Sequence, residues 1–262
     1  IVLISADFPP NHRGGIATFS QDLAQALAAE GNIVHIITQD SEFNWVDFEE
    51  GVWVHHLLVE EQEKTTKANE HNIPQTIWNW SATALKEVER INTHHKIDVV
   101  EAPIWDCEGI ALLLNGQWPL VTSLHTTLHF WLDSHPGYRH KQEWMETFAN
   151  PMLALEQKLM CQADAVRSNS QAIKENIQSA YHFAFPDNKV CLIPHGLSDT
   201  RLSEKKPTGS INILFVGRHE YRKGIDTLLN AIPMVLEQLE DADSKLKFRF
   251  IGVHDIKIED KQ

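Results

Sequence analysis

Arg218 and Lys223 place two fixed positive charges within Val216-Gly217-Arg218-His219-Glu220-Tyr221-Arg222-Lys223-Gly224. Arginine offers phosphate oxygens a planar fork, and lysine offers a compact point charge. The segment follows the apolar run 211–215 and precedes a helical pattern, so it reads as strand, glycine turn and helix. That order aims unpaired backbone N–H groups at an anion. Gly14-Gly15 repeat the arrangement after the apolar run 1–4. Here glycine is expected to supply positive φ and close backbone approach. Gly14, Gly15, Gly217, Arg218 and Lys223 are therefore the candidate phosphate-binding residues. Arg222 is read as an exposed neighbour. The two turns stand about 200 residues apart, and a cleft between two α/β domains is where they are expected to meet.

His125 ends an apolar run at 120–124. Ligands bind at the carboxyl ends of strands in open α/β sheets, and an imidazole there can hydrogen-bond, orient a substrate or move a proton. The chain has 15 histidines, so His129, His135, His140 and the pairs His55-His56 and His94-His95 are read as surface or core residues. Glu101 closes the strand 97–100; it can bind hydroxyls, act as a base or cap the next segment. Asn169 and Ser170 are expected to cap the helix 171–180, with ligand contact as the alternative for Asn169. His195 and Gly196 fall at the expected hinge and can line the cleft. Trp131, Tyr138 and Trp144 can stack on sugar rings, although core packing is the preferred reading. No histidine set has zinc-ligand spacing with a cysteine or carboxylate partner. The glycine pair is not the dinucleotide G-x-G-x-x-G fingerprint. Neither a metal nor a bound cofactor is expected.

The elements that must hold these residues alternate. Strands are expected at 1–4, 33–37, 52–58, 97–100, 120–123, 163–167 and 190–193, with helices at 16–29, 74–92, 144–161 and 171–180. The charged stretch 60–72 is read as a loop. After a polar linker at 196–210 the rhythm restarts as strand 211–216, helix 224–239 and strand 246–251. Such alternation means a parallel sheet covered by helices on both faces. The expected domains are a Rossmann-like unit at 1–200 and the beginning of a second at 201–262. The second would be incomplete, since two strands and one helix cannot cover both faces of a doubly wound sheet. The opening without methionine suggests a trimmed start.

Composition narrows the options. Hydrophobic residues make up 42% of the 262, enough for a packed core. Acids outnumber bases by 36 to 23, for a net charge of −13, which argues against nucleic acid and anionic lipid as partners. Membrane contact is expected to be peripheral at most. The three widely spaced cysteines read as buried free thiols in a reducing cytoplasm.

Several segments together resemble one family. Pro9-Pro10 followed by Gly14-Gly15-Ile16-Ala17 is similar to the opening loop of family-four retaining glycosyltransferases of the GT-B architecture. Val121-Thr122-Ser123-Leu124-His125 and Arg167-Ser168-Asn169-Ser170 resemble later segments of that family. Ile193-Pro194-His195-Gly196-Leu197 resembles the end of its first domain, and Val216-Gly217-Arg218 with Lys223-Gly224 its donor-diphosphate loop. The resemblance implies an α/β fold of GT-B type, with two Rossmann-like domains facing a cleft. It implies transfer of a sugar from a UDP- or GDP-sugar to a saccharide or lipid-linked saccharide, in polysaccharide or glycolipid synthesis. It also implies retention of configuration, His125 beside the donor sugar, and Arg218 and Lys223 on the diphosphate in place of a metal. Ser198 stands where the family carries an acidic residue, and the family's later pair of glutamates has no counterpart here. Two alternatives stay open: a sugar-nucleotide epimerase of the same architecture, and a non-catalytic nucleotide- or sugar-binding protein.

Overall fold

The computed structural model describes residues 1–10, 14–197, 210–238 and 246–252. The chain divides into two compact units, Ile1–Ser198 and Asp199–Gln262. Apart from its ends, the expected linker at 196–210 lies outside the described residues, as does Ser198.

The first unit opens with β1 (Val2–Ile4), α1 (Gly15–Ala29), β2 (Val34–Asp40), β3 (Trp45–Glu49) and β4 (Val52–Leu58). Next come α2 (Thr66–Glu70), α3 (Gln75–Asn92), β5 (Val100–Pro103), α4 (Ile110–Asn115), β6 (Leu120–Leu124) and α5 (Leu128–Ser134). The unit closes with α6 (Gln142–Trp144), α7 (Asn150–Gln162), β7 (Ala165–Ser168), α8 (Gln171–Ala180) and β8 (Val190–Leu192). The eight strands form one sheet in the order β3-β4-β2-β1-β5-β6-β7-β8. Every described pairing in it is parallel except β3 with β4.

Strand alternation sorts side chains onto two faces. Val2 and Ile4 join Val100, Ala102, Leu120, Leu124 and Val166 in the larger core, which α3, α4 and α7 cover. Leu3 faces the other way and packs with Val34, Ile36, Val52 and Val54 under Leu23 and Leu27 of α1. Each fully buried Leu or Ile contributes about 1.5–3 kcal/mol from leaving water.

Several features depart from the sequence reading. The strand expected at 97–100 is β5 at Val100–Pro103, so Glu101 lies inside it rather than after it, and α4 and α5 were not expected. The strand β3 joins β4 through Glu50-Gly51, both at positive φ (49° and 84°), as a two-residue hairpin of right-handed twist demands. The stretch 60–72 holds the short helix α2, whose Thr65 hydroxyl accepts the Ala68 N–H. The helix expected at 144–161 passes through a π-helical turn at Met145–Ala149 before α7. Cys161 and Cys191 are exposed, and only Cys107 is buried; all three are free thiols.

Polar groups form a chain at β2 and β4, buried at Glu87, His55 and His35 and exposed at its ends, Arg90 and His95. Arg90 pairs with Glu87, whose carboxylate lies 2.6 Å from His55 Nδ1. His55 Nε2 is 2.9 Å from His35 Nδ1, and His35 Nε2 is 3.1 Å from His95 Nδ1. Burial, with His55 and His95 as the next contributors, holds His35 down at about 3, so it is neutral at pH 7. The Glu87 carboxylate, held well below the usual carboxylate range at about 2 by Arg90 and His55 against its burial, can only accept, so His55 Nδ1 is the donor of that pair.

The second unit contains β9 (Ile211–Val216), α9 (Ile225–Glu237) and β10 (Leu246–Ile251). The strands β9 and β10 pair in parallel, with Ile211 opposite Leu246 and Val216 opposite Ile251.

Candidate functional site

Parity along three neighbouring strands, β5, β6 and β7, assembles the site in the first unit. Val100 and Ala102, Leu120 and Leu124, and Val166 point into the larger core. Their odd-numbered neighbours Glu101, Ser123 and Arg167 therefore face α1. Register sets Glu101 beside Val121, and Ser123 beside Arg167. His125, Asn169 and His195 lie just past the carboxyl ends of β6, β7 and β8.

These side chains meet around Phe19 of α1. The Phe19 ring centroid is 4.3 Å from His195 and 5.5 Å from His125, and the two imidazoles stack at 5.8 Å with planes 11° apart. The Arg167 guanidinium lies over the same ring at 4.2 Å. It donates from Nε to Glu101 Oε1 at 2.9 Å, and its Nη2 lies 2.8 Å from the same oxygen. The pair is mostly buried, with side-chain exposures of 7% for Arg167 and 16% for Glu101. Asn169 Nδ2 lies 3.0 Å from His195 Nε2. With the amide donating, His195 carries its proton on Nδ1. Ser170, rather than Asn169, caps α8: its hydroxyl accepts the Ile173 N–H at 3.2 Å.

Burial first, then Arg167 and His195, holds His125 down at about 3. The same causes, burial ahead of Arg167, lower His195. Both rings are neutral at pH 7, so each offers one N–H donor and one lone pair and no net charge. Glu101 already has one oxygen committed to Arg167, which leaves it better suited to holding the cluster's shape than to removing a proton.

The loop after β1 is pinned from below. Glu108 is buried and its Oε2 accepts the Ala6 N–H at 2.7 Å and Trp80 Nε1–H at 2.9 Å. Thr38 Oγ1 donates to the Ala6 carbonyl at 3.1 Å. Burial pushes the Glu108 carboxyl up to about 8. Gly14 and Gly15 follow in this loop and are exposed. Gly14 has φ −88° and neither residue has a positive φ, contrary to the expectation of a left-handed turn. A Cβ at either position would meet no described heavy atom within 4 Å. Among the described residues, neither backbone conformation nor packing demands glycine here. The helix α1 begins directly at Gly15 without a side-chain cap.

In the second unit the glycine turn follows the carboxyl end of β9. Gly217 has φ 153° and donates its N–H to the Ile251 carbonyl at 2.9 Å. A Cβ on Gly252 would come within 1.8 Å of the Gly217 carbonyl oxygen, so the two backbones touch where β9 and β10 end. Gly224, at φ 72°, starts α9 in the left-handed region. Glu220 Oε1 lies 2.8 Å from Arg222 Nη2 and 3.4 Å from Arg218 Nη2. Arg218, 56% exposed in its side chain, and the exposed Lys223 sit at the two ends of this turn.

The structure thus brings Glu101, His125, Asn169 and His195 together, with Gly196 next in the chain. Gly217, Arg218 and Lys223 share one turn of the other unit. Phe19 and Arg167 were missed as site residues. Phe19 fits the apolar stripe of α1 and so reads as core. Arg167 carried a usable signal, since a charge inside a buried parallel strand needs a counter-ion. Trp131, Tyr138 and Trp144 form an aromatic cluster of their own, with Trp131 centroids 4.8 Å from Tyr138 and 6.1 Å from Trp144, packed against the main core.

Comparison with known proteins bears on this arrangement. Residues 13–201 match the family model of Glycosyltransferase Family 4. An uncharacterized glycosyltransferase of Methanocaldococcus jannaschii is 24% identical over 262 aligned positions, covering 91% of this chain and 60% of its own. A D-inositol 3-phosphate glycosyltransferase of Arthrobacter sp. is 24% identical over 253 positions, covering 88% and 55%. The chain therefore spans less than two thirds of either relative. Among solved structures, a ugt transferase from Siraitia grosvenorii in complex with UDP aligns with a TM-score of 0.50 at 10% identity. That alignment covers 97% of this chain and 73% of that one. The likeness is one of fold: a mostly parallel α/β sheet, Rossmann-like in the first unit, with GT-B glycosyltransferases as neighbours.

Proposed function

The chain belongs to Glycosyltransferase Family 4, and on that premise we propose that the whole protein moves a sugar from a nucleoside-diphosphate donor to a hydroxyl acceptor. The observation that carries this reading is the cluster in which His125, His195 and Arg167 meet Phe19, with Glu101 held by Arg167 and Asn169 by His195, at and just before the carboxyl ends of adjacent parallel strands. Ligands bind at such ends in open α/β sheets. In this reading the first unit binds the acceptor and presents His125, a neutral ring that orients hydroxyls by hydrogen bonds. The second unit holds the donor diphosphate. Negative charge grows on the leaving diphosphate as the glycosidic bond breaks, and Arg218 and Lys223 stabilise that charge more in the transition state than in the ground state.

The finer parts of the proposal are retention of configuration, independence of a divalent metal, and a UDP- or GDP-sugar as donor. The acceptor would be a saccharide or lipid-linked saccharide, in polysaccharide or glycolipid synthesis on the cytoplasmic side. Support for UDP as the first nucleotide to try comes from its presence in the Siraitia grosvenorii structure. No helix among the described residues is long and apolar enough to cross a membrane.

Calorimetric titration of UDP, GDP and ADP into the whole protein, with EDTA present, tests the donor class. One diphosphate is expected to bind saturably, one per chain, with no need for added metal. Failure of all three to bind, or binding only after a divalent cation is restored, would overturn this part of the reading.

A further inference from the structure

Glu156 is a fully buried carboxyl on α7 that takes no direct part in the site described above. Its Oε1 accepts the backbone N–H of Leu128 at 2.8 Å. Its Oε2 is hydrogen-bonded to the Tyr181 hydroxyl at the end of α8. Leu128 is the first residue of α5, and the preceding Thr127 supplies no side-chain cap. Glu156 therefore does from across the core what a capping side chain does locally. Only Thr126 and Thr127 separate that anchored N–H from His125, and Leu124, just before His125, is held in register with Ser168 of β7. His125 thus sits in a connection fixed at both ends, by the sheet on one side and by Glu156 on the other.

We infer that Glu156 is a positioning residue that aims His125 by holding the Leu128 N–H. The two states of the carboxyl both keep that bond. When protonated it donates to the Tyr181 oxygen and still accepts from Leu128; when ionised it accepts from both. What matters is an acceptor oxygen at this point rather than a charge. Burial pushes this carboxyl up to about 7, so a neutral group is readily tolerated. Glutamine keeps the acceptor and donates to Tyr181. Leucine keeps the volume and loses the acceptor. Leu128→Pro removes the donor from the other side, at a first helical position where proline is tolerated. Thr127 before it is already extended at φ −91° and ψ 164°, as a following proline requires.

The inference rests on His125 belonging to the active site, and the test separates the two claims. In the whole protein with labelled histidine, the His125 ring signals report its placement whether or not transfer is seen. Glu156→Gln is expected to leave those signals and turnover near wild type. Glu156→Leu and Leu128→Pro should both shift the His125 signals and lower kcat about tenfold or more, with donor KM changed less. If the leucine variant does not fold, the proline variant carries the test. Unmoved His125 signals in either folded variant would overturn the inference. Moved signals with unchanged turnover would uphold the positioning and instead count against His125 in the proposed reaction.

Discussion

Replacing Arg167 with methionine is expected to lower the free energy of unfolding by about 3 kcal/mol, at the lower end for a broken buried ion pair. The reason is Glu101. Its Oε1 takes both contacts from the guanidinium, and only 16% of its side chain reaches solvent. Without Arg167 the carboxylate keeps its desolvation cost and loses its counter-ion. The low end of the range applies because Glu101 is not fully enclosed. Adding Glu101→Leu should recover most of the loss, since a well-packed apolar pair does not carry that cost. Urea unfolding of the two variants measures both steps. A second readout follows from His125, which Arg167 helps to hold down at about 3. In Arg167→Met its pKa should rise, though not to the ordinary histidine value, because burial is the larger cause. Unchanged stability together with an unchanged His125 titration would contradict the description of this cluster.

Alanine at Arg218 or at Lys223 in the whole protein is expected to slow turnover about 30- to 1000-fold, or about 2–4 kcal/mol in the barrier. Both residues lie at the carboxyl end of β9, in the turn between Gly217 and Gly224. Arg222 should behave differently, because Glu220 holds its guanidinium more closely, at 2.8 Å, than it holds that of Arg218, at 3.4 Å. Arg222→Ala is expected to change turnover only a few-fold, through the support that Glu220 gives to the turn. Steady-state kinetics on the three variants would settle the ranking. Near-normal turnover in both Arg218→Ala and Lys223→Ala would remove these residues from the reaction.

Much of the architecture could be read from residue types. Continuous apolar runs such as 1–4 and 120–124 mark buried parallel strands, and the amphipathic stretches between them mark covering helices. What escaped was local chemistry with weak signals. The hairpin at Glu50-Gly51 lacks the Asn-Gly or Asp-Gly pair that usually announces such a turn. The short helix α2 depends on Thr65 as a cap within a charged, aperiodic stretch. In the site, His125 and Glu101 were visible because each follows a predicted strand, Asn169 as a candidate helix cap, and His195 at the expected hinge. The shared parity of Glu101 and Arg167, odd beside even-numbered core residues, was equally legible, and it would have predicted their common face. Phe19 was not legible in the same way. A phenylalanine in an apolar helical stripe gives no sign that its ring will lie against two imidazoles and a guanidinium. The supports beneath the loops, Glu108 and Glu156, also lack a sequence signal, because they act on backbone N–H groups 102 and 28 residues away.

Sugar transfer itself is the measurement that bears most directly on the proposed reaction. The whole protein would be incubated with the nucleotide sugar that calorimetry selects, a hydroxyl acceptor and EDTA, and the anomeric protons followed by NMR. The account predicts a glycoside with the donor's anomeric configuration, formed only when both substrates are present, and formed about a hundredfold more slowly or worse by His125→Ala. A donor that isomerises with no glycoside formed, or a glycoside made equally fast by His125→Ala, would contradict it.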